Sequence, residues 1–420
     1  VTMGVGMGRR NVRNAPAPRG LAPAWLAVSV AGALAGIAGC LAAGVHVAQR
    51  MVVPSPRAST PVLVLGVSGQ RQDPRRIVRL GGEDAGLPGS RYSLLFDQNA
   101  TEPGHARLGA ILRESPPHGE VANSWVEREL IGVDRGDLRV GTRGRITGWW
   151  YPAALSLDPR AEAITIPVDG GAAPAWVIPA DEDAGARAGT HWAIHVHGRG
   201  ASPDEALRGV RIAGRTGRTS LVISYRGDPG APVATHERYG FGAAEWRDVS
   251  SAMAEARRRG ATRITLFGWS MGGTACLLAA RHSPHAALID GIVLDSPAVN
   301  WRSLVVHHTQ LARAPRLFGW LGAWLLETGL VRSGVPGGIP LRELTPSAFA
   351  EHLDVPTLIH CSPGDTFVPE GPARELAALR PDLVTLHRAQ GEHVRLWNVE
   401  PERWEGVTQA FLEQLPKRSE

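Results

Sequence analysis

A chain of 420 residues, 43% hydrophobic and 20% charged, has the composition of a globular protein with material for a substantial core, either as one large domain with extensions or as two domains. The net charge of +5 rests on arginine, since Lys417 is the only lysine, and no Lys/Arg-dense run interleaved with aromatics supports nucleic-acid binding. Cys40, Cys276 and Cys361 imply no disulfide framework, and no CxxC or His/Cys spacing suggests zinc, so neither a metal nor a cofactor is expected.

Residues 1–20 form a basic tail with Arg9, Arg10, Arg13 and Arg19 and no acid. Leu21 to Gln49 then runs without a single Asp, Glu, Lys or Arg. At about 1.5 Å per residue, this stretch is long enough to cross a hydrocarbon core of about 30 Å as a helix. The arginine excess on its N-terminal side, against Arg50 and Arg57 after it, favours the N-terminus inside and the rest outside. A cleaved signal peptide normally has a shorter apolar stretch. Ile37-Ala38-Gly39-Cys40 resembles a lipoprotein box, but the sequence after Cys40 stays apolar through Val47. The expectation is an uncleaved transmembrane signal anchor over 21–49.

Residues 50–59 read as a linker and 60–160 as a β-rich module. Strands are expected at Val62–Val67, Arg76–Leu80 and Tyr92–Phe96, and two more at Leu138–Val140 and Arg145–Tyr151. No chemical motif falls in this module, and Asn99-Ala100-Thr101 is read as a chance sequon. From Ala161 the rhythm changes. A hairpin about Asp169-Gly170-Gly171 is followed by strands at 192–197, 220–225, 264–267, 291–294, 357–360 and 383–386, alternating with helical stretches. That order predicts an α/β fold with a mostly parallel, eight-stranded, doubly wound sheet flanked by helices over 161–420. Residues 299–350, rich in Leu and Trp, interrupt the rhythm after the sixth strand and read either as a helical cap over the strand ends or as core-packing helices.

The chemistry centres on Thr262 to Ala280. Ile264, Leu266 and Phe267 make a buried strand, Gly268-Trp269-Ser270-Met271-Gly272 a sharp turn, and a small-residue helix follows. Strand, G-x-S-x-G and helix together are a nucleophile elbow, whose glycines let strand and helix pack closely around a strained serine. A serine hydroxyl needs a base, and the base an orienting carboxylate. In the α/β-hydrolase arrangement both come later in the chain, acid before histidine. Asp365 sits in the tight loop Cys361 to Pro369 after a strand, with Asp295 as the alternate acid. Among 15 histidines, His393 alone stands in a loop between the last strand and the last helix. His387 is assigned to the sheet, and His307, His308 and His352 to the insertion. Two oxyanion donors are expected, the N–H of Met271 directly after the nucleophile and the N–H of Arg199 in the loop His197-Gly198-Arg199-Gly200. Ser202-Pro203-Asp204-Glu205 reads as a capping box opening the next helix.

Residues 160–416 thus resemble the α/β-hydrolase superfamily. HVHGRG at 195–200, SYRGD at 224–228, YGFGAAEWRDV at 239–249, GWSMGG at 268–273 and LDSP at 294–297 are similar to a group of actinobacterial membrane-anchored α/β hydrolases, distant relatives of prolyl-oligopeptidase-type enzymes. The resemblance implies serine hydrolase activity without a settled substrate. Where that group often has Asn after the arginine of SYR, this chain has Gly227. His197, Tyr225, Arg226, Trp246 and Asp248 are read as architecture. The expected reaction is carboxylesterase- or lipase-like cleavage of an ester, thioester or amide with a hydrophobic acyl group. The alternatives are a cell-envelope acyltransferase or peptidase using the same residues, and a non-catalytic membrane-tethered binding protein.

Overall fold

A computed structural model describes Thr2 and residues 22–54, 60–69, 76–97, 103–115, 124–183 and 189–415. The arginines of the basic tail, residues 55–59 of the linker and Asn99-Ala100-Thr101 lie outside the described residues.

The apolar N-terminal stretch forms one helix, α1 (Ala22–Val52), in which Leu34–Val52 has a mean hydropathy of 1.2 and the length to span a membrane. Its first described turns are exposed, with Leu34, Ile37 and Leu41 facing outward, whereas Ala48, Met51 and Val52 are buried against the rest of the chain.

Six strands follow: β1 (Pro61–Ser68), β2 (Ile77–Gly81), β3 (Tyr92–Phe96), β4 (Gly104–Glu114), β5 (Trp125–Arg135) and β6 (Arg143–Thr147). They close into an antiparallel barrel in the order β1-β2-β5-β4-β3-β6, which leaves no open sheet edge. Its interior is Val62, Val64, Val78, Leu80, Leu94, Phe96, Leu108, Leu130 and Ile146. The two longest strands, β4 and β5, are not foreseen, and the strand expected at Leu138–Val140 is irregular chain leading into a turn at Arg139–Thr142. The β4–β5 register slips at four places. Each bulge breaks the two-residue alternation by which a strand is read from sequence. Buried Arg128 donates to Gly109 O in β4 and to the carbonyls of Ala85, Leu87 and Gly89, tying the barrel to its β2–β3 connection.

After α2 (Ala154–Leu157) come β7 (Glu162–Val168), β8 (Gly171–Ile178), β9 (His191–Val196), α3 (Val210–Arg215), β10 (Thr219–Ile223), α4 (Trp246–Arg258), β11 (Arg263–Trp269), α5 (Met271–His282) and β12 (Ile289–Asp295). Helices α6 (Trp301–Leu311), α7 (Arg316–Glu327) and α8 (Pro346–His352) occupy the Leu/Trp-rich segment. The chain ends with β13 (Thr357–Cys361), α9 (Gly371–Leu379), β14 (Val384–Arg388), α10 (Leu396–Val399) and α11 (Pro401–Gln414).

The eight strands β7–β14 form one sheet in the order β14-β13-β12-β11-β9-β10-β8-β7. Pairing is parallel from β10 through β14 and antiparallel at β10–β8 and β8–β7. Runs such as Leu221-Val222-Ile223 and Ile292-Val293-Leu294 are buried on both faces, as a parallel sheet between helical layers requires. The helix expected over Asp204–Thr216 is divided: a 3-10 turn, Pro203–Gly209, precedes α3.

Helix α1 rests on α7. A Cβ on Gly44 would lie 2.6 Å from Leu321 Cγ, and one on Gly322 would lie 3.1 Å from Gly44 O. These glycines let the two helices approach to backbone contact. Helix α7 also leaves Leu317, Trp320 and Trp324 exposed.

Candidate active site

The loops at the carboxyl ends of β9, β11, β12, β13 and β14 converge, and this is where open α/β sheets build their sites. β11 ends at Trp269 and α5 begins at Met271, leaving Ser270 alone in the turn with φ 52° and ψ −115°. Such a conformation costs a non-glycine residue on the order of 1–3 kcal/mol and persists only where the surroundings enforce it. The enforcement is steric. A Cβ on Gly272 would lie 2.2 Å from Val196 O, and one on Gly268 would lie 2.7 Å from the Gly273 backbone. Only glycine at both positions lets α5 pass this close to β9 and β11.

Three side chains named from the sequence meet here. With its proton on Nδ1, His393 donates to Asp365 Oδ2 at 2.7 Å, and its Nε2 accepts from Ser270 Oγ at 2.9 Å. The other Asp365 oxygen accepts from the N–H groups of Phe367 (2.9 Å) and Val368 (2.8 Å), which fixes the carboxylate in the turn. Ser270 and Asp365 are each 5% exposed and His393 7%, so the relay is almost wholly shielded from solvent. There the hydroxyl proton has a defined acceptor, and the imidazolium that forms has a defined counter-charge.

Asp295, the alternate acid, is engaged elsewhere. Its carboxylate accepts from Ser296 Oγ (2.9 Å) and Trp404 Nε1 (2.9 Å). Ser296 Oγ in turn accepts from the N–H of Val394, so Asp295 supports the histidine loop from behind. Burial raises the Asp295 pKa to about 6, with Arg208 opposing.

Met271 is the first residue of α5, where the N–H groups have no partner within the helix. Across from it, Gly198 comes so close that a Cβ there would lie 3.1 Å from Ser270 Cβ. The loop 197–200 is held from several sides. Tyr225 Oη donates to Gly198 O, Gly198 N–H donates to Glu205 Oε2, Gly200 N–H donates to Tyr239 Oη, and His197 pairs through Nε2 with Asp228 Oδ2 at 2.8 Å. The expected capping box is formed in half: Ser202 Oγ accepts from Asp204 N–H, but Glu205 is drawn to Gly198. Burial alone would lower the His197 pKa, but the Asp228 carboxylate outweighs it and the net shift is upward. Arg226 makes a bidentate pair with Asp248, and Gly227 takes φ 90°, a backbone state that suits glycine better than asparagine.

Several neighbours of the site had no sequence signal. His308 on α6 stacks edge-on against Phe367 at 4.4 Å, and Phe367 lies 5.0 Å from the His393 ring. Burial, with Arg199 next, lowers the His308 pKa to about 4 and keeps this ring neutral. Asn398 is fully buried where the barrel meets the sheet layer, and its Nδ2 donates to the carbonyls of Arg91 and Gly148 while Oδ1 accepts from Arg208. A pocket of about 510 Å³, lined by Val299, Leu304, His307, Val368 and Pro372 among others, begins at Ala298, whose N–H donates to Ser270 O. A second cleft of about 380 Å³ lies between barrel and sheet domain. It reaches Gly200 and Val394, neighbours in sequence of Arg199 and His393, without touching Ser270 itself. Among the described residues no group of His, Cys, Asp and Glu is arranged to hold a metal ion.

Residues 64–147, the barrel, match a family described as "Domain of unknown function (DUF8805)". No curated protein sequence matches the chain. Among solved structures, an esterase of Pyrococcus furiosus is similar at 17% identity and a TM-score of 0.46, over 61% of this chain and 93% of its own. An acylaminoacyl peptidase of Pyrococcus horikoshii is similar at 15% identity and a TM-score of 0.46, over 87% of this chain and 51% of its own. An α/β serine hydrolase without lid from Xanthomonas campestris is similar at 14% identity and a TM-score of 0.43, over 62% of this chain and 97% of its own.

Proposed function

We propose that this protein is a serine hydrolase of the α/β-hydrolase type, which cleaves an ester, thioester or amide bond of a hydrophobic acyl substrate and is tethered to a membrane by α1. The observation that carries the reading is the continuous hydrogen-bond relay Ser270–His393–Asp365 at 2.9 and 2.7 Å, set on a strained elbow.

In this mechanism His393 Nε2 takes the proton of Ser270 Oγ as the oxygen attacks the acyl carbonyl. Negative charge on the carbonyl oxygen is met by the N–H groups of Met271 and Arg199, each such donor being worth about 10²–10³ in rate. His393 then protonates the leaving group. Water attacks the acyl-enzyme with His393 again as base, and the acid departs. Asp365 keeps the histidine proton on Nδ1 throughout.

The mainly apolar lining of the 510 Å³ pocket, whose Ala298 is bonded to the Ser270 main chain, supports an apolar acyl group. Helices α6 and α7 act as a cap, and the exposed Leu317, Trp320 and Trp324 of α7, beside the apolar α1, support work at a lipid surface. The arginines at positions 9, 10, 13 and 19 favour a cytoplasmic N-terminus with the catalytic domain outside.

The test is covalent labelling of the purified full chain with a fluorophosphonate, alongside Ser270→Ala. Label on the wild type and none on the variant is expected. A wild type that stays unlabelled overturns the reading.

A further inference from the structure

We propose that the cleft between barrel and sheet domain is an oxyanion-binding subsite, in which Arg145 of the barrel engages a carboxylate or phosphate carried by the substrate away from its scissile bond. This rests on the hydrolase reading for its biological sense but not for its measurement.

Strand β6 alternates: Ile146 points into the barrel core, so Arg145 and Thr147 point out of it. Outward here means into the cleft, whose wall includes Arg145, Thr147, Trp149, Ser202 and Arg395. The Arg145 guanidinium lies over the Trp149 ring at 5.5 Å, which fixes its position without neutralising it. Among the described residues no carboxylate pairs with Arg145, and burial alone lowers its pKa. Other arginines beside the cleft differ. Arg395 is paired with Glu392 at 2.9 Å, and Arg208 is held by Val394 O and Asn398. The acids of the wall are also committed, Asp228 to His197 and Tyr225 N–H, Glu205 to Gly198 N–H. A half-buried cation without a counter-charge in a walled cleft is a costly arrangement, and an incoming oxyanion relieves that cost. The cleft touches Gly200 and Val394, and so borders the two loops that carry Arg199 and His393.

The full chain in detergent is assayed on phenyl esters of hexanoate, adipate and 6-phosphonohexanoate, and on 4-carboxyphenyl hexanoate, which carries the charge on the leaving group. At least one anionic ester is expected to exceed phenyl hexanoate in kcat/KM by about 10- to 100-fold, the range of one charge-assisted contact. Arg145→Gln should collapse that ratio towards one, Arg145→Lys should retain part of it, and added salt should lower it. The favoured ester identifies the anion and the side that carries it. In parallel, Ser270→Ala protein is titrated calorimetrically with the favoured ester, or with phenyl adipate if none is turned over. Binding that Arg145→Gln weakens at least tenfold supports the subsite even if the wild type takes no fluorophosphonate label. Labelling by the wild type with no Arg145-dependent preference and no Arg145-dependent binding overturns the subsite and leaves the hydrolase reading standing.

Discussion

The guanidinium of Arg199 donates through Nη1 to the main-chain carbonyl of Met51 at 2.7 Å. One residue of the 197–200 loop thereby holds the last turn of the apolar helix, and Tyr239 N–H holds the next carbonyl, that of Val52. Replacing Arg199 by Ala removes a charge-assisted bond to a buried carbonyl, a loss of about 1.5–3 kcal/mol. Denaturant unfolding should report that loss, and kcat should fall as the loop loosens. Arg199→Lys should recover part of both.

Asp365→Asn tests how the base is oriented. The N–H groups of Phe367 and Val368 both point at Asp365 Oδ1 and will select the amide oxygen of Asn. The amide NH₂ then faces His393 Nδ1 and drives the ring proton to Nε2, where the ring no longer accepts from Ser270. The expected loss in kcat is about 10⁴-fold with stability nearly unchanged. Steady-state kinetics beside thermal unfolding separate the two.

Gly272→Ala places a methyl group 2.2 Å from a backbone oxygen that cannot turn away. Either α5 lifts off β9 or the elbow relaxes. A destabilisation of at least about 3 kcal/mol is expected, read as a lower denaturant midpoint. Gly406→Ala, with open space around its Cβ, is the matched control and should be neutral or stabilising.

Asp295 gives stability a pH dependence of unusual sign. Its folded-state pKa of about 6 lies above the usual 3.8, so between these values the folded chain holds more protons than the unfolded one. Stability is therefore fully present below about pH 4 and falls as pH rises towards 6, by about 3 kcal/mol at most. Asp295→Asn should flatten that interval. Denaturant midpoints measured from pH 4 to pH 7 check it.

The elbow was legible because its demands are local. Glycines at 268 and 272 answer contacts within a few residues or with the adjacent strand, and chain order then pointed to Asp365 and His393. The barrel was half legible: β2 and the first half of β1 keep their alternation and β3 is a short buried run, but β4 and β5 are bulged repeatedly, and Gly109, whose Cβ would meet Glu129, looks like a turn residue when it is mid-strand. Nothing in the sequence distinguished His308 from the other histidines of the insertion. Its position beside Phe367 depends on how α6 crosses the β13 loop, which is a tertiary fact. Glu205 stands at the three-residue spacing of a cap, yet a loop seven positions away claims its carboxylate.

Asn398→Ala removes the donor to two buried carbonyls and the acceptor for Arg208 at once. Unsatisfied groups of this kind cost about 1–3 kcal/mol each, so a loss of several kcal/mol is expected by denaturant unfolding. Asn398→Asp keeps the shape but offers the two carbonyls no donor, and should lose nearly as much.

The same asparagine has a consequence for access. Its backbone carbonyl also receives the N–H groups of Ser90 and Arg91, and Gly89 is pressed against it too closely for any side chain. The barrel is thus riveted to the segment that follows the histidine loop. It works as a fixed jaw rather than a door. Whatever enters the cleft must fit an aperture set by this seam, with Arg395 at its rim already paired with Glu392.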